Sequence, residues 1–296
     1  MFPLRMSDWL RLPAFAKINL GLELIGRPPR RGYWEIVTLY QTIGLYDRLR
    51  LRLRRSPGIR LRVHPHALPA DSRNLVWRVL ALARRRFGIR RGIEVELEKR
   101  IPVARGLGGG SSDAAAALVG LLRLVRRRVE PAELARLGAR LGADVPFFFV
   151  GGRALGVGRG DEVYPLDDLP KTYCLLVCPA RAIPTRRAYA WAARRRGFSS
   201  PPGGLWGMGN DFEPIVAPHF PEVGRIKRSM AAAGAQVAAL SGSGSTVFGL
   251  FRQRAPAVGR LQTRQARLAG AAVFLTETLP RARYAQALGL WRVVQE

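Results

Sequence analysis

The sequence has little with which to build a disulfide framework or a metal centre. It holds two cysteines and three histidines in 296 residues. Cys174 and Cys178 lie four apart in the apolar run Tyr173 to Cys178. On a strand they share a face but stand about 13 Å apart, beyond the reach of an S–S bond. Both are expected as buried, reduced thiols. His64, His66 and His219 show no metal-ligand spacing, so no zinc site or other protein-held metal is expected. Long apolar runs are missing as well. Arginines interrupt each one before the roughly 18 residues that would suggest a bilayer span, and no membrane partner is expected. The segment Met1 to Leu12 carries Arg5, Asp8 and Arg11 and lacks the apolar core of a secretion signal, so the expectation is a cytoplasmic protein.

Acidic residues are also scarce, at 21 Asp and Glu against 49 Lys and Arg, for a formal net charge of +28. Such a balance raises the prior for a polyanionic partner. Lysine stands only at Lys17, Lys99, Lys171 and Lys227, so the excess is nearly all arginine, spread from end to end. Clusters at Arg84-Arg85-Arg86, Arg126-Arg127-Arg128 and Arg194-Arg195-Arg196 fall in or beside helical patterns. There is no basic tail and no aromatic-basic recognition motif. The charge is therefore read mainly as solvated surface, with nonspecific polyanion binding and a field favouring anionic substrates as lesser readings, and no specific nucleic-acid partner is expected. Hydrophobic content of 48% fits a globular chain, and its length is comfortable for two cores.

Periodicity orders the elements. Phe15 to Ile25 and Leu45 to Arg54 alternate like half-buried strands. Asn74 to Phe87 has helical spacing, and Gly92 to Glu98 alternates again with Ile93, Val95 and Leu97 inward. A glycine loop leads into an Ala- and Leu-rich helix over 111–126, and Pro131 opens another over 131–141. Arg153 to Leu166 reads as strand and turn, and the Pro- and Asp-rich stretch to Pro170 marks a boundary. Beyond it come a strand over Thr172 to Cys178, helical stretches near 185–195 and 221–233, and strands near 236–251 and 271–277. The segment 196–209, rich in Gly, Pro and Ser, reads as a loop.

The strongest chemical signal runs from Lys99 to Ala117, in which Gly106-Leu107-Gly108-Gly109-Gly110-Ser111-Ser112 joins a strand to a helix. Glycines let backbone N–H groups approach an anion, and the helix start adds unpaired N–H groups and the positive end of its dipole. The assembly suits a triphosphate. It is neither a Walker A loop, for no Gly-Lys-Ser/Thr follows, nor a dinucleotide fingerprint, since Ser111 stands where the third glycine would be. A kinase acting on an alcohol needs a group to take the hydroxyl proton, and a carboxylate is the obvious choice. Asp144 lies in a short turn between Gly142 and Pro146, before Phe147 to Phe149. By position alone, it reads more readily as a capping residue.

Pro102 and the run Gly106 to Ala115 resemble the phosphate loop of the galactokinase, homoserine, mevalonate and phosphomevalonate (GHMP) kinase superfamily. The extra glycines resemble the form found in its 4-diphosphocytidyl-2-C-methyl-D-erythritol kinase family. Ala16-Lys-Ile-Asn-Leu20, Gly32-Tyr33, Thr38-Leu-Tyr-Gln41, Leu141-Gly-Ala-Asp144-Val-Pro, Asn210-Asp-Phe-Glu213 and Ser241-Gly-Ser-Gly-Ser245 agree in order, from about residue 13 to 280. The resemblance implies Asp144 as base with Lys17 beside it, and Asn19 offering an amide to the substrate. It places ATP on Gly106 to Ser112 with Asn74 and Lys99 near the adenine or ribose, and Mg²⁺ carried on the phosphates. Tyr33 and Tyr189 would stack on cytosine, with Trp34 and Thr185 nearby and Gly242, Ser243 and Gly244 at the substrate diphosphate. Two departures stand out. Trp34 replaces the usual family histidine, and Asp113, expected in the first turn of the helix, stands where relatives often carry Asn.

The implied fold is α+β, in two domains. Residues 1–168 would be ribosomal protein S5 domain 2-like, and residues 169–296 a ferredoxin-like α/β sandwich. The implied reaction is ATP-dependent phosphorylation of 4-diphosphocytidyl-2-C-methyl-D-erythritol at its 2-hydroxyl, in non-mevalonate isoprenoid biosynthesis, by a monomer or weak dimer. Two other readings are weighed. One is a kinase of the superfamily acting on another alcohol, which Trp34 would favour. The other is a basic RNA-binding protein on an S5-like fold, against which Lys17, Asp144 and the phosphate loop argue.

Overall fold

The computed structural model describes residues 9–26, 33–65, 68–194, 209–254 and 270–295. Two sheets organise the chain. Strands β1 (Leu10–Leu24) and β2 (Ile36–Arg54) form a long antiparallel pair. The other edge of β2 is shared by β4 (Gly92–Glu98) and β5 (Arg153–Val157). Strand β3 (Ile59–His64) lies parallel to β4, and β6 (Glu162–Leu166) closes a hairpin with β5. The β3–β4 connection is a crossover through helix α1 (Leu75–Phe87), whose apolar spacing puts Val76, Val79, Leu80 and Ala83 inward. Asn74 caps it, its Oδ1 accepting from the Val76 N–H at 2.9 Å. Beside α1 lies α2 (Gly109–Leu124), whose fully buried Ala114 to Ala117 let it sit close on β1 and β2.

Helix α3 (Pro131–Ala139) starts at its proline, as the sequence predicts, and a 3₁₀ turn at Pro146–Phe149 places Phe147 and Phe148 in the first core. The second sheet is antiparallel in the order β10 (Ala272–Glu277), β7 (Tyr173–Cys178), β9 (Val247–Phe251), β8 (Val237–Leu240). Helices α4 (Thr185–Arg194), α5 (Glu213–Val216) and α6 (Pro221–Ala232) cover one face, burying Leu175, Val177 and Phe251. On the other face Cys174, Leu176, Phe248 and Leu250 pack against Ile18, Leu20, Leu39 and Ile43 of the first sheet. Both cysteines are free and buried, as expected. Among the described residues, no helix is long and apolar enough to cross a membrane.

Three differences from the sequence reading have physical causes. Strand β1 starts five residues before the predicted segment, at Leu10, and β2 starts nine residues before it, at Ile36, where Ile36 to Ile43 are buried nearly throughout and so show no alternation. Asp113 is the fifth residue of α2, past its first turn, so the dipole is not what holds it there. Helix α7 (Arg281–Leu288) was not expected, having only Tyr284 and Leu288 buried, yet it brings them into the first core with Leu279, Leu290 and Val293. Most of segment 196–209, and Gly32, lie outside the described residues.

Candidate active site

The catalytic candidates gather where the two sheets meet. Lys17 and Asn19 share a face of β1, and the Lys17 ammonium donates to Asn19 Oδ1 at 2.6 Å. The Asn19 amide donates to Thr38 Oγ1 at 2.8 Å, and Thr38 in turn donates to the Gly21 carbonyl. Lys17 Nζ stands 3.4 Å from Asp144 Oδ2, with the lysine side chain 4% and the aspartate 33% exposed. Tyr40, paired with Asn19 across the strands, donates from its hydroxyl to Asp144 Oδ1 at 3.1 Å. Burial, then the Asp144 charge, pushes the Tyr40 phenol well above its usual range, so it stays a donor. Two donors thus hold both oxygens of a carboxylate that still faces solvent.

The glycine loop lies against this pair. Gly108 has φ +67° and caps α2, and a Cβ there would come within 3.0 Å of the Lys17 side chain and of Phe148. Gly106, at φ +78°, lets the second sheet close in, since a Cβ would lie 2.1 Å from the Ser241 carbonyl oxygen. Ser241 Oγ donates to the Gly106 carbonyl at 2.9 Å, and the backbone at Gly242 comes against Asn19. Asn210 fixes that turn by donating to the Leu240 and Gly242 carbonyls at 2.7 and 2.9 Å. Ser243 Oγ donates to Thr185 Oγ1 at 3.2 Å, at the start of α4.

A groove of about 320 Å³ follows the loop from Asn74 and Leu75, past Gly106 to Ser111, to Asp144 and Thr185. A larger cleft of about 1330 Å³ lies between β2 and the edge strand β10. Its charged walls are largely paired internally, as in Arg48–Glu98, Arg50–Glu96 and Lys171–Glu277, and it has neither glycine loop nor Asp144. The smaller groove is the one with chemistry.

The remaining predicted residues divide. Asn74 lines the groove while capping α1. Lys99 also lines it, but its ammonium is held by Asp47 and, at 2.6 Å, by Asp113. Asp47 further accepts the Arg100 and Ile101 N–H groups. Burial raises the Asp113 carboxyl well above its usual range, against the opposing pull of Lys99. Tyr33 is 74% exposed beneath the Arg159 guanidinium, which sits 5.0 Å from its ring centre. Tyr189 packs on Trp34 and Phe212 instead of facing Tyr33. Burial, then the Asp144 charge, pushes its phenol up. Trp34 is 8% exposed and belongs to the second core, forming a wall behind Tyr189.

Sequence reasoning missed Tyr40, Thr38 and Ser241 as functional residues. The signal for the first two was their spacing by two in Thr38-Leu-Tyr40, which puts both on the Asn19 side of β2. Ser241 bears on the site only across the sheet interface, which spacing does not reveal.

The profile for the N-terminal domain of GHMP kinases matches residues 74–152, and that for their C-terminal domain matches 203–262. A 4-diphosphocytidyl-2-C-methyl-D-erythritol kinase of Moorella thermoacetica is 40% identical over 262 residues, covering 82% of this chain and 90% of its own. One from Lachnospira eligens is 36% identical over 295 residues, covering 91% and 98%. A crystal structure of a 4-(cytidine 5'-diphospho)-2C-methyl-D-erythritol kinase superposes with TM-score 0.76 at 32% identity, over 91% of this chain and 99% of that one. A homoserine kinase from Cytophaga hutchinsonii, at 19% identity and TM-score 0.75 over 96% and 98%, shares the fold. With its glycine loop, its Asp144–Lys17 pair and likeness over nearly its whole length to these enzymes, the chain belongs to the 4-diphosphocytidyl-2-C-methyl-D-erythritol kinase family of the GHMP kinases.

Proposed function

We propose that the groove holds the ATP phosphates against Gly106 to Ser112 and the substrate alcohol between Asp144 and Lys17. The chain transfers the γ-phosphate of ATP to the 2-hydroxyl of 4-diphosphocytidyl-2-C-methyl-D-erythritol, giving the 2-phosphate and ADP in isoprenoid precursor biosynthesis. The observation that carries this reading is Asp144, gripped by Lys17 and Tyr40 from beneath and still one-third exposed at the glycine loop. Asp144 accepts the hydroxyl proton as the oxygen attacks the γ-phosphorus, and the bond to the ADP oxygen breaks. Lys17 orients the carboxylate and offsets charge on the attacking oxygen, and the start of α2 receives the phosphates.

Asn19 and the backbone from Gly242 to Gly244 face the substrate from the two sheets, with Thr185 and Ser243 beside them. Tyr33, the most exposed aromatic ring at the site, is assigned to cytosine, with Tyr189 and Trp34 as the pocket's inner wall. Asn74 is assigned to the nucleoside end of ATP, and Lys99 to the floor beneath it. No cluster of three His, Cys, Asp or Glu side chains able to hold a metal occurs among the described residues. Ser111 and Asp144, which line the groove, would supply oxygens to a Mg²⁺ ion brought by the nucleotide. Such an ion would neutralise phosphate charge. The division at residue 168, a monomer or weak dimer, and a cytoplasmic location complete the reading.

The test is product analysis. Incubation of the protein with Mg-ATP and 4-diphosphocytidyl-2-C-methyl-D-erythritol is expected to give a new phosphomonoester at the 2-position by phosphorus NMR. Phosphate appearing on homoserine or mevalonate but not on this substrate would instead assign the groove to another alcohol.

A further inference from the structure

The active site uses one end of α1 and α2; the opposite end carries a feature it does not need. Asn74 and Gly108 start the two helices at the groove, so their C-termini lie about 20–24 Å away. There the two helix ends are adjacent, for the Arg86 and Arg127 guanidiniums both lie over the Phe87 ring, at 5.6 and 5.0 Å. The chain's last helical turn joins them, with Arg128 donating to the Trp291 carbonyl at 3.3 Å and Arg292 over the Trp291 ring at 4.7 Å. Trp291 is 58% exposed.

Pairing separates this end from the other arginine-rich face. On β2 to β4, Arg48, Arg50, Arg52, Arg60 and Arg62 all lie against Glu94, Glu96 or Glu98. At the helix ends, only Arg86 has a carboxylate, Glu133. Among the described residues, Arg85, Arg126, Arg127, Arg128 and Arg292 form no ion pair, and all five are exposed. Arg126 also has φ +53°, the left-handed conformation that a helix end normally gives to glycine. The chain keeps an arginine there at a conformational cost, in a run, Arg126 to Arg128, whose side chains are exposed. Helix-end carbonyls do favour cations, but that effect needs one or two, not a cluster with two aromatic rings.

We propose that this end of the molecule binds single-stranded nucleic acid without sequence preference. Its unpaired guanidiniums take successive phosphates, and Trp291 stacks a base. Alternating cations and an exposed indole are the elements of such a platform, and every base offers a face to stack on. Headgroups of an anionic bilayer would use the charge but leave the indole face away from Arg292 without a planar partner.

The test is fluorescence anisotropy with a labelled 12-nucleotide oligouridylate across a salt series, on the full chain. The wild type is expected to bind with a steep salt dependence. The variant Arg85→Ala/Arg126→Gly/Arg127→Ala removes three cations, and its log Kd–log salt slope is expected to fall by about two. Its affinity should fall at least tenfold while ADP release with the kinase substrate is unchanged. Trp291→Ala should weaken binding several-fold with the slope unaltered. Arg60→Ala/Arg62→Ala, on the paired face, should leave both nearly alone. Equal losses from both arginine faces would overturn the proposal in favour of undirected charge. So would binding to phosphatidylglycerol vesicles without binding to the oligonucleotide. Kinase activity is a separate readout, so failure of the catalytic assignment leaves this test intact.

Discussion

Two buried lysines flank the phosphate loop at adjacent glycines, and their neighbours set them apart. Lys17 packs against Gly108, and the ammonium of Lys99 lies 3.2 Å from where a Cβ of Gly109 would be. Lys17 faces one carboxylate, Asp144, which is open to the groove, and an amide, Asn19. Lys99 is enclosed by two carboxylates, Asp47 and Asp113, whose side chains are 0% and 4% exposed. Burial alone would lower the Lys99 pKa, but the two aspartates more than reverse this and raise it. An ammonium held between two buried carboxyl groups is committed to them and not to a ligand. Lys99 therefore holds the floor of the loop together, while Lys17 keeps a partner that is open to the groove, as the proposed proton acceptor requires.

Substitutions should separate the two. Lys17→Ala is expected to lower kcat by about 10²- to 10³-fold in a steady-state ADP-release assay, with the melting temperature changed little. Lys99→Met should do the reverse. It strands two buried carboxylates, and chemical denaturation should show a loss of about 3–5 kcal/mol. Adding Asp113→Asn should recover part of that loss, because one of the stranded charges is then gone. If Lys99→Met folds with wild-type stability and loses turnover, the contrast fails. Tyr40→Phe comes next, with kcat reduced about tenfold and the KM for ATP unchanged, as one of the two donors to Asp144 is lost.

The smallest effect is a pH dependence. Burial raises the Asp113 carboxyl, so the folded chain binds this proton more tightly than the unfolded one. Its contribution to stability is present below the ordinary carboxylate value and is lost as pH rises through the raised one. The Asp113→Asn variant lacks that loss. Its unfolding free energy by chemical denaturation should gain on the wild type as pH rises from about 4, by up to ~1.4 kcal/mol per pH unit within the window. A constant difference between the two across pH 4 to 8 would mean that Asp113 titrates normally.

Much of the fold was legible where one side of an element meets water. Strand β4 with Ile93, Val95 and Leu97 inward, helix α1, and the proline start of α3 all lie where periodicity puts them. Legibility failed where burial is two-sided, as in the first half of β2, and where a short helix is held by two side chains, as in α7. At the site, Gly106 to Ser112, Lys17, Asn19 and Asp144 stood out by composition or by family likeness. Tyr40 did not, since a tyrosine on a strand reads as core until its hydroxyl is seen 3.1 Å from Asp144. The role of Lys99 was hidden for a related reason: Asp47, Lys99 and Asp113 are far apart in sequence and meet only when β2, β4 and α2 pack.

The most direct test of the central claim is substrate-dependent ADP release by Asp144→Asn beside the wild type. Asparagine keeps the shape but cannot take the hydroxyl proton. The account predicts turnover reduced by about 10²- to 10⁴-fold with ATP binding retained. Turnover within a few-fold of wild type would contradict it and leave Asp144 as a structural residue of the turn.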